Sequence, residues 1–215
     1  MELISINTGR VRTIHAGKET RLTGIYKQPT SLPVEIGELG LRGDAICDVE
    51  NHGGPDQAVY VYGSPDYAWW SQTLGYEVGP GSFGENLTIS ELESARFNIG
   101  DRLHVGEVIL EVTAPRIPCS TLAARMGDPT FAKRYRQAER PGLYCRVLRT
   151  GTVQTGDPVS VESYPGETVS VLEMFREYYQ PDPGEAALRR LLAAPIAARA
   201  RAEQEEKLKK ALYND

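Results

Sequence analysis

From residue 1 to Pro165 the apolar residues come in short runs broken by glycine- and proline-rich turns, and no other feature limits the fold as tightly. Residues 3–6, 58–62, 86–89, 102–105, 108–112, 143–148 and 159–161 read as strands, because runs of that length carry β-branched and aromatic residues between turn signals. They are not spaced by the regular helical crossovers that a parallel sheet needs. Gly106-Glu107 links two of them with glycine first, which predicts a tight hairpin, and VLRTGTVQTGDPVSV (147–161) reads as a further meandering return. Short helices are expected from Ser64-Pro65 onward and over 120–126 and 129–136. The 21 glycines and 14 prolines suit a fold made of many turns. The expected fold class is mainly β with inserted helices: an antiparallel, barrel-like domain over residues 1–164.

After Gly166 the period changes. Ser170 with Glu173 forms a capping-box pattern opening a helix to 179, Asp182-Pro183 opens a second to 192, and Pro195 opens a third ending near 212. Residues 165–215 therefore read as a small three-helix module. It serves either as a stabilising appendage or as a surface for a partner.

Charge and composition narrow the function. A formal net charge of −5 argues against a nucleic-acid polymer as ligand. No apolar run nears the roughly 18 residues of a membrane span, and the first residues lack a secretory pattern. Cys47, Cys119 and Cys145 form no C-x-x-C pair, which points to a reducing compartment, the cytoplasm by default.

One cysteine stands in a setting suited to chemistry. In Ala114-Pro-Arg-Ile-Pro-Cys119-Ser120-Thr121, two prolines stiffen the approach, Arg116 lies three residues upstream and hydroxyls follow. Positive charge and a rigid loop favour a thiolate, whereas a free cysteine elsewhere is usually a small buried hydrophobe; Cys47 and Cys145 read as the latter. From Arg116 to Arg149 eight basic residues face only Asp128 and Glu139, a cationic stretch inside an acidic chain. Guanidinium forks suit phosphate and carboxylate ligands, although arginines on a helix face commonly point to water. Glycine turns at 40–44, 53–54, 79–84 and 141–142 can present backbone N–H groups to an anion. Together these features describe the lining of a pocket for a large anionic ligand.

GLRGD (40–44), NHGGPDQAVY (51–60), SFGENLTI (82–89), IGDRLHVGEVILEVTAPRIPC (99–119), RPGLYCRVL (140–148) and TGDPVSV (155–161) resemble, in order and separation, the MOSC family, named for the molybdenum cofactor sulfurase C-terminal domain. The C-terminal helices match its YiiM-like branch. The resemblance implies a β-barrel-like MOSC domain and a molybdenum cofactor, a pterin dithiolene holding the metal, with Cys119 as protein ligand; a soft thiolate suits such a centre. It further implies reduction of N-hydroxylated compounds such as N-hydroxylated purines. Other members of the family transfer sulfur.

Under that resemblance Asn51, His52, Gly53 and Gly54 line the cofactor or substrate pocket. Ser82, Phe83, Gly84 and Asn86 approach the pterin, Arg116 and Arg146 neutralise its charge, Ser120 and Thr121 support the thiolate, and His52 or Asp44 orients a proton. The chain has neither a four-cysteine iron–sulfur pattern nor a G-x-G-x-x-G fingerprint, so a separate electron-donor reductase is expected as partner. Two other chemistries stay open on the residues alone: a nucleophilic Cys119 with His52 as base, and a protein that carries the cofactor or a persulfide without turnover.

Overall fold

Strands form where alternate residues can sink into the interior. In Arg102–Val105, for instance, Leu103 and Val105 are buried while Arg102 and His104 are not. The computed structural model describes residues 1–213, apart from the side chains of Glu50 and Tyr213. The first third of the chain holds β1 (Leu3–Thr8), β2 (Arg12–Ala16), β3 (Glu19–Thr23), β4 (Gln28–Thr30), β5 (Val34–Gly37) and β6 (Gly40–Leu41). Next come α1 (Val49–His52), β7 (Val59–Gly63), α2 (Ser64–Leu74), β8 (Leu87–Ile89), β9 (Arg102–Val105) and β10 (Val108–Ala114). Then follow α3 (Ser120–Arg125), α4 (Phe131–Ala138), β11 (Leu143–Arg149), β12 (Gly151–Val153) and β13 (Val159–Glu162). Helices α5 (Val171–Glu177), α6 (Glu185–Ala193) and α7 (Ala198–Tyr213) complete the described chain. Asn214 and Asp215, which the expected C-terminal module included, lie outside the described residues.

Eight strands make the main sheet in the order β13-β9-β10-β11-β7-β8-β1-β4. The Gly106-Glu107 hairpin is present, with positive φ at Gly106 alone, and it pairs Val105 with Val108. The pairing is antiparallel except between β7 and β8, which run parallel because α2 carries the chain back across the sheet. Near the sheet's ends, Val159 N–H donates to Met1 C=O and Leu3 N–H to Asp157 C=O, both at 2.9 Å. Around the isolated Glu2–Pro158 bridge the continuous ladder stops. The described residues thus form a mixed, sheet-rich fold, and no closed barrel is seen among them.

Several expectations need correction. The 147–161 segment does not meander within one sheet: β12 leaves to pair with β5, and β13 returns to β9. The hairpin β2–β3 and the short strands β4 to β6 were not expected; in RTIHA and ETRLT only Ile14, Ala16 and Thr23 turn inward. Helix α2 does begin at Ser64, with Gly63 preceding it as cap. Ser170 does cap α5, accepting from Glu173 N–H at 3.0 Å. The second helix starts at Glu185 after Gly184, and the third at Ala198 rather than Pro195.

The C-terminal helices do not own a separate core. Val171, Phe175, Leu191 and Ile196 belong to the same buried cluster as Leu3, Val61 and Leu110 of the sheet. Each such side chain contributes on the order of 1.5–3 kcal/mol by leaving water. Arg146 reinforces the union: its Nη2 donates to the carbonyls of Pro195 and Ile196 at 3.2 and 3.3 Å. Asp56 does the same from the NHGGPDQ loop, accepting from Ala198 N–H at 2.6 Å at the start of α7 and pairing with Arg146 at 3.2 Å.

Candidate active site

The strand β10 ends at Ala114, and Pro115 and Pro118 then carry the chain stiffly to Cys119, which precedes the first turn of α3. From across the sheet, β11 brings Tyr144, and α1 brings His52. A cleft opens where these meet. It has an inner and an outer lobe, both open in part to solvent, with about 650 and 740 Å³ of free space counted out into that solvent. Cys119, His52, Tyr144, Thr121, Gln57 and Asp48 line both, so the two lobes join at the thiol.

Burial alone would push the Cys119 thiol up. The hydrogen bond with His52, the charge of Arg116 and the backbone N–H of Leu122 outweigh it and bring the thiol down to about 6. Cys119 is thus largely thiolate at neutral pH. His52 is itself held: its Nδ1 lies 3.0 Å from the Tyr144 hydroxyl. Burial raises the Tyr144 phenol, which keeps its proton and a hydrogen-bond donor at that position.

Arg116 lies in the inner lobe, only 5% exposed. Its guanidinium carbon sits 4.9 Å from the centre of the Tyr60 ring. Its Nε is buried without a hydrogen-bond partner, and among the described residues no carboxylate pairs with it. Lys27, also facing this lobe, differs: it is buried against Asp44, and burial lowers its pKa although the Asp44 charge opposes that. The inner lobe therefore holds two buried cations, Lys27 paired with a carboxylate and Arg116 with none, the latter acting on the Cys119 thiolate.

Gly84 fits this crowding. Its φ is +76°, and a Cβ there would come within 2.9 Å of Ile25 Cγ1 and 3.6 Å of an Arg116 Nη. Asn86 faces the lobe but is engaged: its Oδ1 accepts from Tyr60 N–H at 3.1 Å and its Nδ2 donates to Asp44 at 2.9 Å.

The sequence-based candidates sort as follows. Cys119, His52 and Thr121 stand at the junction; Arg116, Gly84 and Asn86 line the inner lobe; Asn51 lines the outer. Asn51 is braced there, donating to Asp48 at 3.0 and 3.1 Å and accepting from Arg199 at 3.0 Å. Asp44, Gly53, Gly54, Ser82, Phe83, Ser120 and Arg146 line neither lobe. The Asp44 carboxylate is closed off by Gly9 N–H at 2.7 Å, Lys27 and Asn86. Gly53 packs where a Cβ would meet Ile46 Cγ2 at 2.8 Å, and Phe83 sits inside an aromatic core with Tyr62, Tyr67 and Trp70.

The cationic stretch disperses as well. Of its eight basic residues only Arg116 reaches the cleft. Arg140 pairs with Asp66, Arg134 with Asp128, Arg125 lies over Tyr26 and Arg136 over Tyr179. Proximity in sequence gave them a common sign and no common direction.

Sequence reasoning missed Tyr144, Tyr60, Lys27, Gln57, Arg21 and Cys47. Tyr144, Tyr60 and Gln57 lie inside quoted motifs, and alternation with inward core residues could have raised the two tyrosines. Arg21 reaches the cleft from β3, and Lys27 from the segment between β3 and β4. Cys47, read as structural, does face the inner lobe, but burial raises its thiol.

Comparison with known proteins agrees with this architecture. A model of the MOSC domain matches residues 48–160. YflK, an uncharacterized protein of Bacillus subtilis, is 32% identical over 191 residues, which span 89% of this chain and 86% of YflK. A protein of Gibberella moniliformis named a reductase is 34% identical over 180 residues, 81% of this chain but 31% of that longer protein. The crystal structure of YiiM from Geobacillus stearothermophilus superimposes with a TM-score of 0.80 at 28% identity, covering 96% of this chain and 98% of that one.

Proposed function

The chain belongs to the MOSC domain family, and on that premise we propose that it is a molybdenum-cofactor-dependent reductase of N-hydroxylated compounds, N-hydroxylated purines among them, with Cys119 as the protein ligand to the metal. The observation that carries this reading is Arg116: a buried guanidinium with an unbonded Nε and, among the described residues, no carboxylate partner, set beside a low-pKa thiol. A buried charge costs free energy unless it is well paired and hydrogen-bonded, and such perturbed groups cluster at functional sites. An anionic cofactor fits that requirement. Among the described residues no cluster of three His, Cys, Asp or Glu side chains could hold a bare metal ion. A metal here would arrive already held by sulfur and take one further ligand, the Cys119 thiolate.

The chemistry supplied by the cofactor when bound is the two-electron reduction of N–OH to N–H with release of water. The residues around it have separable tasks. Arg116, stacked on Tyr60, neutralises anionic charge in the inner lobe, while Lys27 stays committed to Asp44. The 3.0 Å contact between the Tyr144 hydroxyl and His52 Nδ1 fixes the ring's orientation, with donor and acceptor set by its tautomer. His52 is thereby oriented beside the sulfur and the outer lobe, where an N–OH group would lie. Thr121 faces both lobes and bounds the passage between them. Electrons come from a separate reductase partner, and the reducing cytoplasm is the matching compartment.

A second reading shares one observation. The His52–Cys119 pair is also what a cysteine nucleophile and its base require. The deciding experiment is expression in a host that makes the cofactor, metal analysis per chain, and reduction of an N-hydroxylated purine with an artificial electron donor. Near-stoichiometric molybdenum with turnover, both lost in Cys119→Ala, supports the reductase. Metal without turnover assigns a carrier, and absence of metal with rapid alkylation of Cys119 assigns the nucleophile.

A further inference from the structure

Beyond the outer lobe lies a third chamber, open on one side, between the sheet and helices α5 and α7. Gln57, Pro115, Ile117, Tyr178 and Arg199 line both it and the outer lobe, so the two adjoin along a shared wall. Its character differs from theirs. Ala114, Met174, Leu191 and Ala197 give it an apolar floor, each at most 9% exposed, with Ala200 alongside. Glu177, Glu203 and Gln204 stand on its border. Polarity therefore falls from the outer lobe at the thiol to an apolar end inside the C-terminal helices. Ligand sites are mostly apolar with a few placed polar groups, and an apolar wall of this kind suits the non-reacting part of a small molecule.

We propose that this chamber seats the apolar group that carries the N–OH function, so that the enzyme's substrates are amphipathic N-hydroxylated compounds, with the polar head at Cys119 and the hydrocarbon between α5 and α7. The inference rests on the reductase reading for its head group. It assigns the C-terminal helices a part in substrate selection, in place of docking an electron donor. The occupant is argued from continuity: the chamber joins the cleft at residues that also bound the thiol's outer lobe. A ligand reaching it from Cys119 passes Gln57 and Tyr178 before meeting Met174 and Leu191.

The test is a homologous series of N-alkylhydroxylamines, methyl to octyl, assayed on the molybdenum-loaded protein with an artificial donor. Full burial of each methylene corresponds to about a fourfold gain. The expected result is a rise in kcat/KM of twofold or more per methylene over several carbons, with molybdenum content constant. Ala200→Trp, which fills the chamber from α7, should flatten the series at least tenfold at octyl and leave the methyl compound within twofold; Gln204→Phe is the second block should the first fail to fold. A flat series in the unaltered protein overturns the proposal, as does equal loss for short and long substrates in both variants. In parallel, calorimetric titration with the matching N-alkylamines needs neither metal nor turnover. Chain-length-dependent binding abolished by Ala200→Trp sustains the chamber even if the reductase reading fails, and absence of chain-length dependence refutes it even if that reading holds.

Discussion

Tyr144 holds His52 across 92 residues of chain, hydroxyl to Nδ1 at 3.0 Å, and His52 in turn bonds the Cys119 thiol. The three side chains come from a strand, a four-residue helix and a proline-stiffened loop, so the thiol's environment is assembled by the sheet and not by local sequence. The consequences can be measured.

The first concerns pH. An ordinary cysteine has a pKa near 9.0, and Cys119 is brought down to about 6. Alkylation of Cys119 in cofactor-free protein, followed by mass spectrometry, should accelerate as pH rises through about 6 and be level above about 7. Because the folded value lies below the unfolded one, the thiolate's contribution to stability is fully present above about 9 and lost as pH falls through about 6. His52→Ala should move the inflection upward, and Tyr144→Phe should move it less, because the imidazole remains. An inflection that stays near 6 in His52→Ala would place the cause in Arg116 and the Leu122 N–H.

Arg116 should prove a functional residue that the empty fold does not need. Its charge is buried without a carboxylate, and replacing such a group by an apolar one of similar volume is neutral or stabilising. Arg116→Met is expected to keep or raise the melting temperature of the cofactor-free protein while lowering retained molybdenum at least tenfold. A melting temperature lowered by several degrees would mark it instead as a structural residue.

Asp44 should behave in the opposite way. Removing it leaves Lys27 buried and alone and strands the N–H of Gly9. Breaking one half of a buried pair costs about 3–5 kcal/mol. Urea denaturation of Asp44→Ala should show that loss. A variant with ordinary stability and abolished turnover would restore Asp44 to the proton-handling role expected from sequence.

Asp56→Ala removes the acceptor for Ala198 N–H and a partner of Arg146. Loss of a cap of this kind costs about 1–2 kcal/mol. Thermal denaturation should report that amount, and limited proteolysis should cut α7 earlier than in the unaltered protein.

What the sequence disclosed, it disclosed through local signals. Strands β7 to β11 announced themselves as short β-branched and aromatic runs between turns, the Gly106 hairpin by its glycine, and the α5 cap by Ser170 and Glu173. Cys119, Arg116 and His52 were legible because proline, charge and glycine framed them unusually. Arg146, Ser82 and Asp44 looked equally suggestive, yet the sheet turns them elsewhere: toward the C-terminal helices, a surface turn and a buried lysine. Direction across a sheet depends on register and on which strands neighbour each other, and neither is written locally. The β2–β3 hairpin was lost for a related reason. Its one consistently inward face is Ile14, Ala16 and Thr23, too few to set a period.

The tie between Asp56 and the first residue of α7 limits how this chain can be cut or grafted. Ending an expression clone after residue 164 would strip Val171, Phe175, Leu191 and Ile196 from the common interior, and would also release the segment on which His52 rides. The last fifty residues are therefore not a detachable cassette: exchanging them with those of a relative should transplant catalytic competence only when the Asp56 and Arg146 contacts travel with them.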